Sequence, residues 1–173
     1  STRLITPPSF ADFQVYGSFN NNYTGLPPNA LIKQNVYCWQ HQNSILVKYT
    51  IINKEASAWN AIFGVELIPE LEGTYAGNDT FYYNRTTKIF SNRKTAALGY
   101  KFLSGDPASM NVFLYSSSYY STDSSFWSYL NSGNIDTAYI TDPNNPSVDD
   151  PVVVPAFSTK TIAAGDSASY YLA

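Results

Sequence analysis

The chain has 173 residues, of which 44% are apolar and only 13% are charged, and its formal net charge is -3. This length suits a single domain over 1–173 with a sizeable core, and the apolar share excludes disorder of the whole chain. Lysine and arginine form no cluster, which excludes the usual kind of nucleic-acid-binding surface. No apolar run is long enough for a transmembrane helix, so we expect no membrane insertion.

Short segments rich in Tyr, Phe, Val, Ile and Thr alternate with turn residues, and this pattern predicts many short strands. An extended N-terminal segment, about 1–11, precedes them. The predicted strands cover residues 12–19, 30–42, 44–53, 60–69, 79–85, 97–103, 110–116, 151–157 and 168–173. The spacing indicates an all-β fold, a two-layer antiparallel β-sandwich of the immunoglobulin-like or jelly-roll-like type.

Two of these strands, 44–53 and 60–69, are joined by a short polar connection, which predicts an antiparallel hairpin. Glu66 lies in the second strand, opposite the row of Phe63, Val65 and Leu67. One interpretation is an outward-facing glutamate paired with Lys48 across the hairpin. The other is a catalytic carboxylate, which would need a second acid nearby. The period of two favours the first interpretation, and we expect no enzyme activity.

The only cysteine and the only histidine, Cys38 and His41, are three residues apart in a predicted strand. Their side chains therefore point to opposite faces, which argues against a Cys–His dyad. A lone cysteine excludes an internal disulfide, and a lone histidine disfavours the usual zinc sites. Cys38 is interpreted as a buried, inert thiol.

Aromatic residues lie beside serine and asparagine in several segments, including FYYN at 81–84 and FWSYL at 126–130. Exposed aromatic rings stack on sugar rings or contact protein partners, whereas buried rings fill strand cores. The candidate contact residues for carbohydrate or a partner are Tyr82, Tyr83, Tyr119, Tyr120 and Trp127.

Residues 123–133, DSSFWSYLNSG, predict a short helix near 124–131 with Asp123 or Ser124 as its N-cap and Gly133 as its stop. Its predicted inward face comprises Phe126, Trp127 and Leu130.

The loop TDPNNPSVDDP at 141–151 is rich in hard oxygen ligands and turn formers. Asp142, Asp149 and Asp150 are candidate Ca²⁺ ligands. The spacing does not match an EF-hand, and two prolines already explain a rigid turn. We therefore expect no cofactor, with Ca²⁺ as the alternative.

Three N-glycosylation acceptor sequences begin at Asn22, Asn78 and Asn84. All three fall in predicted loops or at strand ends, where a glycan is tolerated. In a host that glycosylates its proteins, these acceptor sequences favour a glycoprotein with an extracellular or cell-surface location.

Four segments in this order, VKYTIINKEASAWNAIFGVEL, LGYKFLSG, FWSYLNSG and FSTKTIAAGDSASYYLA, resemble an accessory β-sandwich domain of large secreted bacterial proteins, including those with type IX secretion signals. The resemblance covers roughly 45–173 and implies an extracellular, non-catalytic domain. Those relatives often carry an Asp-Trp-Asp cluster after the second strand, where this chain has VELIPELEG. A second likeness, through FGVELIPELEG, is to C-terminal β domains of family 57 glycoside hydrolases.

The expected function is a non-catalytic structural or adhesive module, with other copies of itself or neighbouring domains as partners. One alternative is a subunit of a surface filament linked by strand exchange, which the extended STRLITPPSF and the apolar strand SYYLA suggest. The other alternative is a carbohydrate-binding accessory domain of a secreted hydrolase, with glycans as partners.

Overall fold

The computed structural model describes residues 1–69, 71, 79–114, 122–140 and 151–173. Within these ranges the strands pair antiparallel in every ladder that joins two of them, and one α-helix is present. The predicted fold class, all-β and sandwich-like with one short helix, is confirmed. Among the described residues, no helix has the length and apolar character needed to cross a membrane.

The regular elements are short, as the closely spaced turn residues predict. In chain order the strands are β1 (Thr2–Leu4), β2 (Phe13–Asn20), β3 (Ala30–Cys38), β4 (Ile45–Asn53), β5 (Trp59–Ala61), β6 (Thr80–Asn84), β7 (Ile89–Arg93), β8 (Ala97–Tyr100), β9 (Ser109–Leu114), β10 (Ala138–Ile140), β11 (Pro151–Ala156), β12 (Lys160–Ile162) and β13 (Ser167–Leu172). The helices are a 3₁₀ turn at Asn22–Thr24 and α1 at Asp123–Leu130.

The chain folds into two compact units. Unit 1 comprises Ser1–Ala61, Phe102–Ser104 and Lys160–Ala173, and unit 2 comprises Ile62–Lys101 and Gly105–Thr159. Each unit is assembled from segments that are far apart in sequence. The single domain over 1–173 stays a prediction.

Unit 1 contains a five-stranded sheet in the order β1–β2–β3–β4–β13 and a separate pair of β12 with β5. Asn53, at the end of β4, is fully buried and joins the surrounding turns. Its Nδ2 donates to the carbonyl oxygens of Ser57 and Ile162, both at 2.9 Å, and its Oδ1 accepts from the Glu55 N–H at 2.8 Å. All of its side-chain polar atoms are therefore used inside the fold.

Unit 2 contains a four-stranded sheet in the order β10–β6–β7–β8 and a pair of β11 with β9. Phe81 and Phe90 are fully buried on one face of the four-stranded sheet, and Phe90 stacks on Tyr100 with ring centroids 5.3 Å apart. Every residue of β11 is buried, which explains its continuous apolar run PVVVPA.

The helix α1 belongs to unit 2, and the face that it packs against β11 differs from the predicted one. The N-cap is Thr122 and not Asp123 or Ser124, because the Thr122 hydroxyl accepts a hydrogen bond from the Ser125 N–H at 3.2 Å. Phe126, Tyr129 and Leu130 pack against Val152 and Val154 of β11. The expectation that Trp127 faces inward is wrong, since its side chain is 54% exposed. Residues i, i+3 and i+4 share one side of a helix, so Phe126 packs together with Tyr129 and Leu130, and Trp127 lies outside that face.

The predicted hairpin between 44–53 and 60–69 is wrong. Both edges of β4 are occupied, one by β3 and the other by β13, and β5 pairs with β12. Beyond β5, residues 62–69 contact β11 through isolated bridges at Gly64 and Leu67. The interpretation of Glu66 as a partner of Lys48 across that hairpin loses its basis, and the ammonium group of Lys48 lies over the ring of Tyr171, 5.4 Å from its centroid.

Four strands were missed by the sequence prediction: β1, β7, β10 and β12. Three of them have only three residues, too few to show a period of two. The fourth, β7, has the sequence IFSNR, and its three central residues are all buried. Burial of Ser and Asn beside Phe hides the usual alternation of apolar and polar residues.

Candidate interaction surface

One face of the five-stranded sheet in unit 1 carries apolar residues from edge to edge. Residues that stand opposite each other in an antiparallel ladder point to the same face. The ladders place Leu4, Val15, Val36, Val47 and Leu172 in one row across all five strands. A second row joins Phe19, Ile32, Ile51 and Ala168, and a third joins Phe13, Cys38 and Ile45.

In the first two rows the residues near β13 are buried and the residues on β1 and β2 are exposed. Leu172 is 7% exposed, the valines of β3 and β4 are half-buried, and Leu4 is 62% exposed. The buried end belongs to the core of the chain. The opposite end is an apolar surface in contact with solvent, which folded proteins rarely leave uncovered unless it serves an interaction.

We call the uncovered part the exposed strip. It consists of Leu4, Phe13, Val15, Phe19 and Ile45. Phe13 and Phe19, at 54% and 51% exposure, stand at the two ends of β2. Gly17 lies between them on the same face, and a Cβ placed there would meet only Thr2 and Ser1, no closer than 3.7 Å. The strip therefore has two aromatic projections with a shallow gap between them.

The five strands of this sheet place no charged residue on the face that bears the exposed strip. The remaining positions of its ladders are Thr2, Gly17, Gln34, Tyr49, Tyr170, Ala30 and Asn53. The opposite face carries the charges: Arg3 lies over the Tyr16 ring, 5.5 Å from its centroid, and Lys48 lies over Tyr171. An apolar and uncharged surface suits contact with another apolar surface and not with an ionic ligand.

The thiol of Cys38 lies in the same apolar face and is half-buried, free of any disulfide. It stands opposite Phe13 on one side and Ile45 on the other. The expected buried thiol is therefore only partly buried, at the margin of the exposed strip.

The predicted aromatic contact residues that fall in the described ranges all lie in unit 2, outside this strip. Tyr82 is 48% exposed on β6, and Trp127 is exposed on α1. The expectation that Tyr83 contacts a partner is wrong, because its side chain is only 5% exposed and lies on the same buried face as Phe81. Its alternation with Tyr82 places one tyrosine outside and the other inside. Tyr119 and Tyr120 lie outside the described residues.

Two of the three acceptor asparagines lie in the described ranges, one in each unit. Asn22 is exposed at the start of the 3₁₀ turn. Asn84 ends β6 and is half-buried, and its Oδ1 accepts from the N–H groups of Thr86 and Thr87 at 2.9 and 3.0 Å. An N-linked glycan attaches to Nδ2, so these bonds to Oδ1 do not block Asn84, but its half-buried side chain is less accessible than the exposed side chain of Asn22. Asn78 lies outside the described residues.

The candidate calcium ligands Asp142, Asp149 and Asp150 also lie outside the described residues, and that site stays a prediction. Within the ranges that are described, no three His, Cys, Asp or Glu side chains come close enough together to hold a metal ion.

An open groove of about 440 Å³ lies beside the 3₁₀ turn in unit 1, lined by Asn21, Asn22, Gly25, Leu26, Pro27, Asn29 and Glu55. Its polar groups mostly hold the loop together. The Asn21 amide donates to the carbonyls of Leu26 and Pro28, and Glu55 accepts from the Asn29 N–H. The groove is therefore explained as a consequence of the loop's own hydrogen bonding.

Sequence reasoning missed the exposed strip as a surface, although the alternation of Phe13, Val15, Gly17 and Phe19 was visible. The missing information was the register that aligns these residues with Leu4 and Ile45. Comparison of the chain with models of protein families and with curated proteins finds no match.

Proposed function

We propose that this chain is a non-catalytic structural or adhesive module of an extracellular protein, which acts through protein–protein contact at the exposed strip. The observation that carries the proposal is the uncovered apolar end of the five-stranded sheet, with Phe13 and Phe19 as its projecting anchors. Large aromatic side chains on an uncharged surface are typical of contact sites between proteins.

The chemistry of the exposed strip supports binding and not catalysis. Leu4, Val15 and Phe19 offer no group for proton transfer or nucleophilic attack. The low share of charged residues and the exposed acceptor asparagine at Asn22 support an extracellular location.

An adhesion measurement tests the proposal. Beads coated with the chain settle on cells of the organism that encodes it, and the fraction retained under flow is counted. We expect retention to fall at least about tenfold in the Phe13→Thr, Phe19→Thr double variant, because each aromatic anchor contributes a large share of the contact energy. Threonine keeps a high strand propensity, so the sheet itself is preserved.

The matched control is Ile89→Thr, which removes a similarly exposed apolar residue from a strand of unit 2. We expect this variant to adhere like the parent chain. Equal retention of the parent and the double variant, or a parent chain that does not adhere, would contradict the proposed function.

A further inference from the structure

We propose that the occupant of the exposed strip is a second copy of this chain, packed face to face about a twofold axis that passes between Gly17 and Phe19 of β2. This inference rests on the proposed function, because it names the partner of the same surface. It predicts a closed pair in which each copy presents Leu4, Phe13, Val15, Phe19 and Ile45 to the other.

The first argument is charge. The face that carries the exposed strip has no acidic or basic residue in any of its ladders. A twofold contact places the same surface on both partners, so a surface that carries one sign of charge would repel its copy. This face has no such penalty, and an apolar surface is complementary to itself.

The second argument is area. A large apolar side chain presents roughly 150–250 Å² when fully exposed, so the five strip residues together offer on the order of 500 Å². A standard interface buries roughly 800 Å² on each partner. The remaining area is available from the uncharged neighbours of the strip, including Thr2 and Gln34. The exposed strip is thus large enough for the core of a modest interface.

The third argument is shape. Phe13 and Phe19 are six residues apart on β2 and project from the face, and Gly17 leaves a gap between Val15 and Phe19. When two copies of β2 cross about a twofold axis, the Phe19 ring of each copy can enter the Gly17 gap of the other. Sheets pack face to face in this way inside β-sandwiches, with side chains interdigitating across about 10 Å.

Sedimentation equilibrium of the full chain from about 1 µM to 1 mM tests the inference. We expect a weak monomer–dimer equilibrium, with a Kd on the order of 10–100 µM, because five partly exposed residues leave little surplus over the free-energy cost of association. Because no charged residue takes part, the Kd should change less than about twofold between 50 and 500 mM NaCl.

Substitution of the anchors should weaken the pair. We expect the Phe13→Thr, Phe19→Thr variant to raise the Kd at least about 30-fold and the Ile89→Thr control to leave it within about twofold. The far-ultraviolet circular dichroism of each variant reports whether it is folded. A folded double variant that dimerises like the parent would overturn the inference.

A second measurement uses the parent chain alone and does not depend on a folded variant. Carbene footprinting at 1 µM and at 1 mM should show labelling of Phe13 and Phe19 falling with concentration while labelling of Tyr82 stays constant. Equal labelling at both concentrations would overturn the inference, as would association that continues beyond two copies, since a twofold contact closes.

The two proposals fail in distinguishable ways. A parent chain that stays monomeric up to 1 mM overturns the second copy as occupant. If the double variant nevertheless loses adhesion to cells, the exposed strip still binds a different protein surface and the proposed function stands. Adhesion that is unaffected by the double variant overturns the proposed function, whatever the state of association.

Discussion

Two asparagines are fully buried, and they differ in whether the side-chain amide has hydrogen-bond partners. Asn53 in unit 1 satisfies its amide with three hydrogen bonds to the fold. Asn92 in β7 stands opposite Phe81 and Leu98, and neither its Nδ2 nor its Oδ1 bonds to any residue in the described part of the chain. Burial of an amide without hydrogen bonds costs about 1–3 kcal/mol, so Asn92 is a local source of instability.

We expect Asn92→Val to raise the free energy of unfolding by about 1–2 kcal/mol, because valine removes an unsatisfied amide and suits a strand. Urea denaturation followed by tryptophan fluorescence measures the change. The matched variant is Asn53→Val, which should lose about 2–4 kcal/mol, since it leaves the Ser57 and Ile162 carbonyls and the Glu55 N–H without their partner. Two changes of the same sign would contradict this interpretation.

At the scale of elements, the segment 62–69 shows how a chain can lie along a strand without forming a full ladder. Its backbone bonds to β11 run from Val65 N–H to the Pro155 carbonyl at 3.1 Å and from Leu67 N–H to the Val153 carbonyl at 2.9 Å. Gly64 lets the segment approach β11 and α1 closely. A Cβ there would overlap Leu130 Cδ2 and lie 3.2 Å from the Pro155 carbonyl oxygen.

We therefore expect Gly64→Ala to lower the free energy of unfolding by about 1–3 kcal/mol, because the added methyl group forces apart packed elements of unit 2. Thermal and urea denaturation measure the loss. The control is Gly99→Ala in β8, where a Cβ meets only Ile89 Cγ2 at 3.6 Å, an ordinary contact. It should change stability by less than about 0.5 kcal/mol. Similar losses in both variants would argue against a close approach at Gly64.

At the scale of the whole molecule, tyrosines of both units share a response to alkaline pH. Burial raises the pKa of Tyr100 to about 12, and burial also raises the pKa values of Tyr139 and Tyr170. A tyrosine in the unfolded chain loses its proton near pH 10. Between pH 10 and 12 the folded state therefore binds more protons than the unfolded state, and stability falls as pH rises.

We expect the stability from Tyr100 to be fully present below pH 10 and to be lost as pH rises to about 12. One proton gives a slope of at most about 1.4 kcal/mol per pH unit. Tyr100→Phe should make the decline between pH 10 and 12 shallower relative to its own stability at pH 7. Urea denaturation at pH 7, 10, 11 and 12 measures both slopes. An unchanged slope in the variant would rule out Tyr100 as a source of the decline.

Much of the fold could be predicted from local patterns, and the remainder depended on distant partners. Strands β2, β3, β4, β6, β8, β9, β11 and β13 and the helix follow from periodicity and turn residues, which act over a few residues. The hairpin prediction failed because it assumed that neighbours in sequence pair. β4 instead takes β13, more than one hundred residues later, which extends its apolar row.

The sequence by itself determined that the chain is all-β, that β2 alternates apolar and polar residues, and that α1 interrupts the strands. Only the tertiary structure decided which apolar rows are covered. Leu4, Val15 and Leu172 are equally apolar in the sequence, yet they lie at opposite ends of one face and differ from exposed to buried. A residue is buried when other residues pack above it. Strand register decides which residues those are, and the local sequence pattern does not specify the register.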